Sequence, residues 1–172
     1  TDLFSPDKID QITLDEYRVR TGIDKSHKVL TYLGSIGTWY MLDEMLDFYG
    51  ELKTRDSSWK FLFLTREKDL VLSAIKTKNL DKNDFFIFQA QRTEVPKYLS
   101  LTDWGIFFIR PDYSKISSSP AKQGEMMSMG IPIVTNSGVG DVAEIVEGNN
   151  AGVVVDVSLI NEGVEKMVQM NY

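Results

Sequence analysis

The sequence predicts an α/β domain built on a doubly wound, mostly parallel six-stranded sheet with helices on both faces. Three observations lead there. Strand-like and helix-like segments alternate six times after residue 26, the pattern that builds parallel sheets from βαβ units. The strand segments are continuous apolar runs, not alternating ones, as expected of strands buried on both faces. The 172 residues are 42% hydrophobic and 26% charged, which fits one ordinary globular domain and excludes disorder, collagen and coiled coil for the whole chain.

The elements follow in order. Residues 1–26 are polar and broken by Pro6 and Gly22, and read as an incoming interdomain segment with a short helix near Thr13–Arg20. Residues 27–172 form the regular part. Lys28–Leu33 is the first strand, closed by Gly34-Ser-Ile-Gly37. Met41–Arg55 places apolar residues at 41, 42, 45, 46, 48, 49 and 52, which is helical spacing. Trp59–Thr65 is the second strand, and Glu67–Lys78 a helix with Leu70, Val71, Ala74 and Ile75 on one face. Phe85–Ala90, a short helix Glu94–Leu101 and the strand Trp104–Ile109 come next. Past a polar loop, Pro120 stands at the first turn of a helix, a position proline favours. That helix runs to Met129 and stops at Gly130. Ile131–Thr135, a glycine loop Asn136–Gly140, a helix Asp141–Glu147, the strand Ala151–Val155 and a helix Leu159–Gln169 complete the chain.

Composition narrows the function. With 25 acidic and 19 basic side chains the net charge is −6, which argues against nucleic acid as a partner. There is no cysteine and one histidine, His27, so disulfide frameworks, cysteine zinc sites and multi-histidine metal sites are excluded. That one histidine stands on the linker edge before the first strand, where it cannot serve a Ser-His-Asp triad. The longest apolar run, Trp104–Ile109, is far below the ~20 residues of a membrane span. The chain opens at Thr1 and stops inside a helical pattern, so a piece of a longer protein is expected.

In a doubly wound sheet the ligand lies outside the carboxyl ends of the strands, where the strand order reverses. The candidate loops are therefore Gly34–Thr38, Arg66, Gln91–Arg92, Pro111–Ser119 and Asn136–Asp141. Gly34 and Ser35 lie where a glycine turn lets backbone approach a phosphate, although a plain strand-to-helix turn uses the same residues. The stretch Ser117-Ser118-Ser119-Pro-Ala-Lys122-Gln-Gly-Glu125 is more informative. A helix N-terminus offers free amides and a positive dipole end to an anion, and the serines add hydroxyl donors. Lys122 sits in that first turn, where the dipole alone favours an acid. It is one of two bases, against seven acids, from residue 116 onward. Glu125 follows on nearly the same helix face, where a carboxylate can accept hydrogen bonds from sugar hydroxyls. A serine cap with a solvated Lys/Glu pair accounts for the same letters.

A competing motif lies further on. Gly138-Val-Gly140-Asp-Val-Ala143 matches the dinucleotide fingerprint, and Asp156 stands at the end of the next strand to hold a ribose. This is the basis for an NAD-type oxidoreductase reading. Four strands precede the one that leads into it, however, whereas such a fingerprint normally opens the fold.

The segment from Ser117 to Asp141 closely resembles the donor-binding motif of GT-B-fold glycosyltransferases, in the large retaining nucleotide-sugar-dependent family (group 1, family 4 type). Glu125, Gly130, Pro132, Ile133 and Val134 carry its Glu-x-x-x-x-Gly-x-Pro-(Ile/Val)-Val core. Tyr-Leu-Gly-Ser after the first strand and Glu94-Val-Pro-Lys-Tyr-Leu before the fourth are similar to the family as well. The resemblance covers about Lys28 to Asp156. It implies a Rossmann-like carboxyl-terminal domain, one half of a GT-B fold, that binds a nucleotide sugar of UDP or GDP type as substrate and needs neither cofactor nor metal. Glu125 would hold the ribose. Lys122 and the Ser118–Ser119 turn would hold the pyrophosphate, with Gly34 and Ser35 against the same phosphates and Gln91–Arg92 near the base. Ser117 stands where the family has a first glutamate that touches the sugar, and Gly37-Thr38-Trp39 stands where a basic residue is common. The resemblance further implies an acceptor saccharide or lipid-linked saccharide bound by a missing amino-terminal domain, and a place in bacterial surface polysaccharide synthesis. It implies a cytoplasmic enzyme, with peripheral attachment to the inner membrane face, whose isolated fragment transfers nothing. No catalytic residue is assigned. A catalytically dead interaction module, suggested by Ser117, stands as a third reading.

Overall fold

The computed structural model describes residues 3–111 and 120–170. Six strands form one sheet in the order β3-β2-β1-β4-β5-β6, with every ladder parallel. The strands are β1 (Lys28–Leu33), β2 (Trp59–Leu64), β3 (Phe85–Phe88), β4 (Trp104–Phe107), β5 (Ile133–Asn136) and β6 (Gly152–Val155). The helices are α1 (Gln11–Thr21), α2 (Leu42–Arg55), α3 (Lys68–Thr77), α4 (Val95–Leu99), α5 (Ala121–Ser128), α6 (Val142–Gly148) and α7 (Ile160–Gln169). The strand order reverses between β1 and β4. Right-handed crossovers then place α2 and α3 on one face of the sheet and α4, α5 and α6 on the other. The doubly wound expectation holds, with all strands parallel.

Several element boundaries lie one or two residues from those expected, for local reasons. The fourth strand leaves its regular ladder at Phe107, and Ile109 returns as an isolated antiparallel bridge to Tyr40. The fifth begins at Ile133 because Gly130 and Ile131 still turn back onto α5, their amides donating to Met127 and Met126. At the sheet edge, β3 is only half-buried, unlike the central strands.

Residues 3–26 pack onto the sheet's own core: Phe4, Tyr17 and Ile23 are all buried within it. Helix α1 forms because the Asp10 carboxylate caps it, accepting from the Thr13 amide at 2.8 Å. It docks on α4 through Tyr17 and Tyr98, whose rings meet edge to face at 4.8 Å. Arg20 closes the contact with a 2.9 Å ion pair to Glu94.

Two devices hold β4 in place, one to β1 where the order reverses and one to β5. At the amino ends of β1 and β4, Val29 and Asp103 exchange hydrogen bonds: the Val29 amide donates to Asp103 Oδ2 at 2.7 Å, and the Asp103 amide donates to Val29 O at 2.9 Å. Past the carboxyl end of β4, the buried Asn136 side chain from β5 acts as an extra ladder rung, accepting from Ile109 N and donating to Ile109 O, both at 2.8 Å. Helix α5 sits low on β4 because Gly105 has no side chain. A Cβ there would lie 2.2 Å from Met126 Sδ, so Met126 occupies its place. That seating brings the first turn of α5 down to the reversal point.

Candidate functional site

A cleft of about 410 Å³ opens at the carboxyl ends of β1, β2 and β3, lined by Gly34, Ser35, Thr65, Arg66, Glu67 and Ala90 among others. Gly34 forms its wall towards α5. Its φ of +110° favours glycine, and its amide is already used, donating to Leu64 O at 2.9 Å. What Gly34 contributes is therefore room, not a free donor: a Cβ at this position would stand 3.3 Å from Lys122 Nζ. The Ser35 hydroxyl is also engaged, donating to Glu67 Oε1 at 2.6 Å. Glu67 accepts from Thr65 as well. These bonds, Ser35 foremost, hold its carboxyl below the usual range.

Lys122 reaches across from the first turn of α5. The residue is only 8% exposed. Its ammonium lies 3.5 Å from the Tyr40 ring centroid and 4.2 Å from that of Tyr32, and donates to the Tyr32 hydroxyl at 2.9 Å. Among the described residues these partners are all uncharged. Burial pushes its pKa down to about 7, against the pull of Glu125 and then Glu67. Next to it, the Gln123 side chain is 3% exposed, and its Oε1 and Nε2 have no hydrogen-bond partner among the described residues. Among the described residues, the start of α5 thus carries a buried cation without a counter-ion and a buried amide without a partner. Each is costly unless a polar group from outside completes it.

One turn on, Glu125 accepts a 2.6 Å hydrogen bond from Arg92 Nη1. Arg92 comes from the loop after β3 and also lies over the Phe4 ring at 5.3 Å. Its side chain is 67% exposed, that of Glu125 only 14%. The structure therefore gathers Gly34, Ser35, Lys122, Glu125 and Arg92 along one edge, in two linked groups. Ser117, Ser118 and Ser119 lie outside the described residues. The sequence reading missed Tyr32, Tyr40 and Glu67. A signal existed, since all three sit at or just past strand ends in the same row as Gly34.

The dinucleotide fingerprint lies elsewhere. Gly138 and Gly140 follow β5, and Asp156 follows the edge strand β6, away from the reversal between β1 and β4. The Asp156 carboxylate is taken by its own turn, accepting from Ser158 N at 2.8 Å and Ser158 Oγ at 2.6 Å. No ribose hold is built there.

A parallel sheet in the order 3-2-1-4-5-6 is the topology of a Rossmann-like domain. Comparison with known proteins makes this specific. The model of the glycosyl transferases group 1 family matches residues 14–171, and the chain belongs to that family. No curated protein matches the sequence. Among solved structures, the fold is similar to WaaG, a glycosyltransferase involved in lipopolysaccharide biosynthesis: TM-score 0.73, 16% identity, covering 96% of this chain and 44% of WaaG. It is similar to HepE from Anabaena in complex with UDP-glucose: TM-score 0.74, 14% identity, covering 98% and 45%. It is also similar to the C-terminal domain of the group 1 family protein LpcC from Francisella tularensis: TM-score 0.67, 14% identity, covering 98% and 87%. The chain thus spans less than half the length of WaaG and HepE and has the fold of the carboxyl-terminal half of a GT-B glycosyltransferase. Among the described residues no helix is long and apolar enough to cross a membrane.

Proposed function

We propose that this chain is the donor-binding half of a glycosyltransferase that moves a sugar from a nucleotide sugar to an acceptor. The observation that carries this reading is Lys122, an ammonium buried against Gly34 whose partners among the described residues are tyrosines. Such a charge is completed by an anion, and the cleft next to Gly34 leads to it. The diphosphate of the donor would lie on Lys122 and the start of α5, with Ser118 and Ser119 alongside. Glu125 would take the ribose hydroxyls, releasing Arg92 towards the base. In the reaction the bond between the anomeric carbon and the diphosphate oxygen breaks, and negative charge grows on the departing nucleoside diphosphate. Fixed donors at that point lower the barrier.

The finer reading follows the resemblance. The transfer retains the anomeric configuration and runs without metal, Lys122 supplying positive charge to the leaving group. The acceptor, a saccharide or lipid-linked saccharide, is held by an amino-terminal domain, so this chain alone binds nucleotide and transfers nothing. Likeness to WaaG, a glycosyltransferase involved in lipopolysaccharide biosynthesis, and to HepE in complex with UDP-glucose supports a UDP-type donor and a role in surface polysaccharide synthesis. The enzyme would work in the cytoplasm, at the inner face of the membrane.

A thermal-shift panel with UDP, GDP, CDP, ADP and NAD tests the reading, with Lys122→Met as control. A ligand at 100 times its Kd adds ~2.7 kcal/mol, roughly 5–10 °C for a domain of this size. One nucleoside diphosphate should give that shift in the parent and lose it in the variant. A shift with NAD alone overturns the reading in favour of the Gly138 fingerprint. A flat panel favours the interaction module.

A further inference from the structure

The two tyrosines around Lys122 form a built environment. Tyr32 rises from β1 and Tyr40 from the loop bridged to Ile109, and their rings meet at 74° with centroids 5.7 Å apart, the two walls of a corner. The Lys122 ammonium sits in that corner. The Tyr32 hydroxyl donates its own proton to Ser35 O at 2.6 Å, which leaves its lone pair turned to Lys122 Nζ. Helix α5 and the Gly34–Ser35 turn are thereby tied through one phenol. Burial pushes both phenols up, so they stay neutral while Lys122 titrates.

We propose that Tyr32 and Tyr40 are positioning residues for Lys122, holding its ammonium charged and at the Gly34 edge of the cleft before a diphosphate arrives. This rests on the donor-site reading above. The physical reason is that a ring face stabilises a cation without neutralising it. A carboxylate in the same corner would bind Lys122 more strongly but would cancel its charge and compete with the incoming diphosphate. Among the described residues, Glu125 from α5 itself and Glu67 from the loop after β2 also face Lys122 and favour its charged form. Neither replaces the rings: Glu125 is paired with Arg92, and Glu67 is held by Ser35 and Thr65. The corner therefore offsets part of the burial penalty while leaving net positive charge for the ligand.

The test is calorimetric titration with UDP, and with inorganic pyrophosphate as a base-free probe, from pH 6 to 9. Parent, Tyr40→Leu, Tyr40→Phe, Tyr32→Phe and Lys122→Met are compared, and differences from the parent remove the probe's own titration. Affinity should fall in the parent as Lys122 loses its proton. Tyr40→Leu should move that fall to lower pH by about half to one unit, and Tyr40→Phe, which keeps the ring face, should restore it. Tyr32→Phe should weaken binding about 3–10-fold across the range, having lost the hydroxyl alone. A Tyr40→Leu profile that superimposes on the parent, while Lys122→Met loses binding, overturns the cage and leaves the donor site standing. Parent-like binding by Lys122→Met overturns the donor reading itself. Should Tyr40→Leu fail to fold, Tyr32→Phe carries the test, and unchanged affinity there overturns the proposal.

Discussion

Among the described residues two charged side chains are buried, Asp84 and Lys122, at opposite ends of the sheet, and they are treated differently. Asp84 lies before β3, at the amino ends of the strands. Lys53 and Lys60 both reach its Oδ1, at 2.8 and 2.5 Å. Burial pushes the Asp84 carboxyl up, but the hydrogen bonds and charges of the two lysines outweigh it and hold it below the usual range. Lys122 lies past the carboxyl end of β1 and has rings and a hydroxyl in place of a carboxylate. Both carry a desolvation cost. Asp84 is neutralised within the chain and serves the fold. Lys122 is not neutralised among the described residues, and its location at the strand-order reversal is where a doubly wound sheet receives ligands.

The largest expected effect breaks this comparison in opposite directions. Asp84→Ala leaves two lysines facing each other without a counter-ion and should destabilise the protein by about 2–4 kcal/mol in urea unfolding. Lys122→Met replaces a buried cation by an apolar chain of similar length. It should stabilise the unliganded protein at pH 7 by about 1–3 kcal/mol while abolishing diphosphate binding. A large loss of stability in Lys122→Met would place Lys122 with Asp84, among groups that hold the fold.

The pH dependence sharpens the contrast. Burial pushes Lys122 in the folded chain down to about 7 from an ordinary lysine's 10.5, so between these values the unfolded chain binds more protons. Stability of the unliganded protein should therefore rise with pH above 7, with a slope approaching about 1.4 kcal/mol per unit. Lys122→Met should be flat in that window. Asp84 acts at the other end, since its depressed pKa contributes stability that is lost as pH falls through the acid range. Urea titrations from pH 3 to 9 on parent, Lys122→Met and Asp84→Asn separate the two contributions.

The smallest effects concern the pair one turn further along α5. Arg92 is mostly exposed, so Arg92→Ala should change stability by no more than about 0.5 kcal/mol. Glu125→Gln should likewise fold normally but bind UDP about tenfold more weakly, because a carboxylate accepts from sugar hydroxyls more strongly than an amide does. Calorimetry on both variants checks this. Equal UDP affinity in Glu125→Gln and the parent would remove Glu125 from the ribose site.

Much of the site was legible in the sequence because its signals are local. Pro120 beside a serine run, then Lys122 and Glu125, is a motif within nine residues. The family resemblance rested on the same stretch and is borne out by the match over residues 14–171. Gly34 was found for a partly different reason than the one it serves: its amide is spent on β2, and its missing side chain is what admits Lys122. Arg92 was assigned to a base and is found on Glu125, 33 positions away. Tyr32 is buried, and its partner Lys122 lies 90 positions away in the chain.

By itself, the sequence determined the alternation of strands and helices, the two-faced burial of the strands and the chemistry at the start of α5. Each is set by residues close together in the chain, through periodicity, capping and composition. Tertiary structure alone decided the order 3-2-1-4-5-6, and with it which loops face one another. It alone brought Tyr32 to Lys122 across 90 positions, seated α5 on Gly105, and left the Lys122 ammonium with uncharged partners while Asp84 received two. Whether a buried charge is satisfied depends on what the fold packs against it, and residues distant in sequence supply that packing.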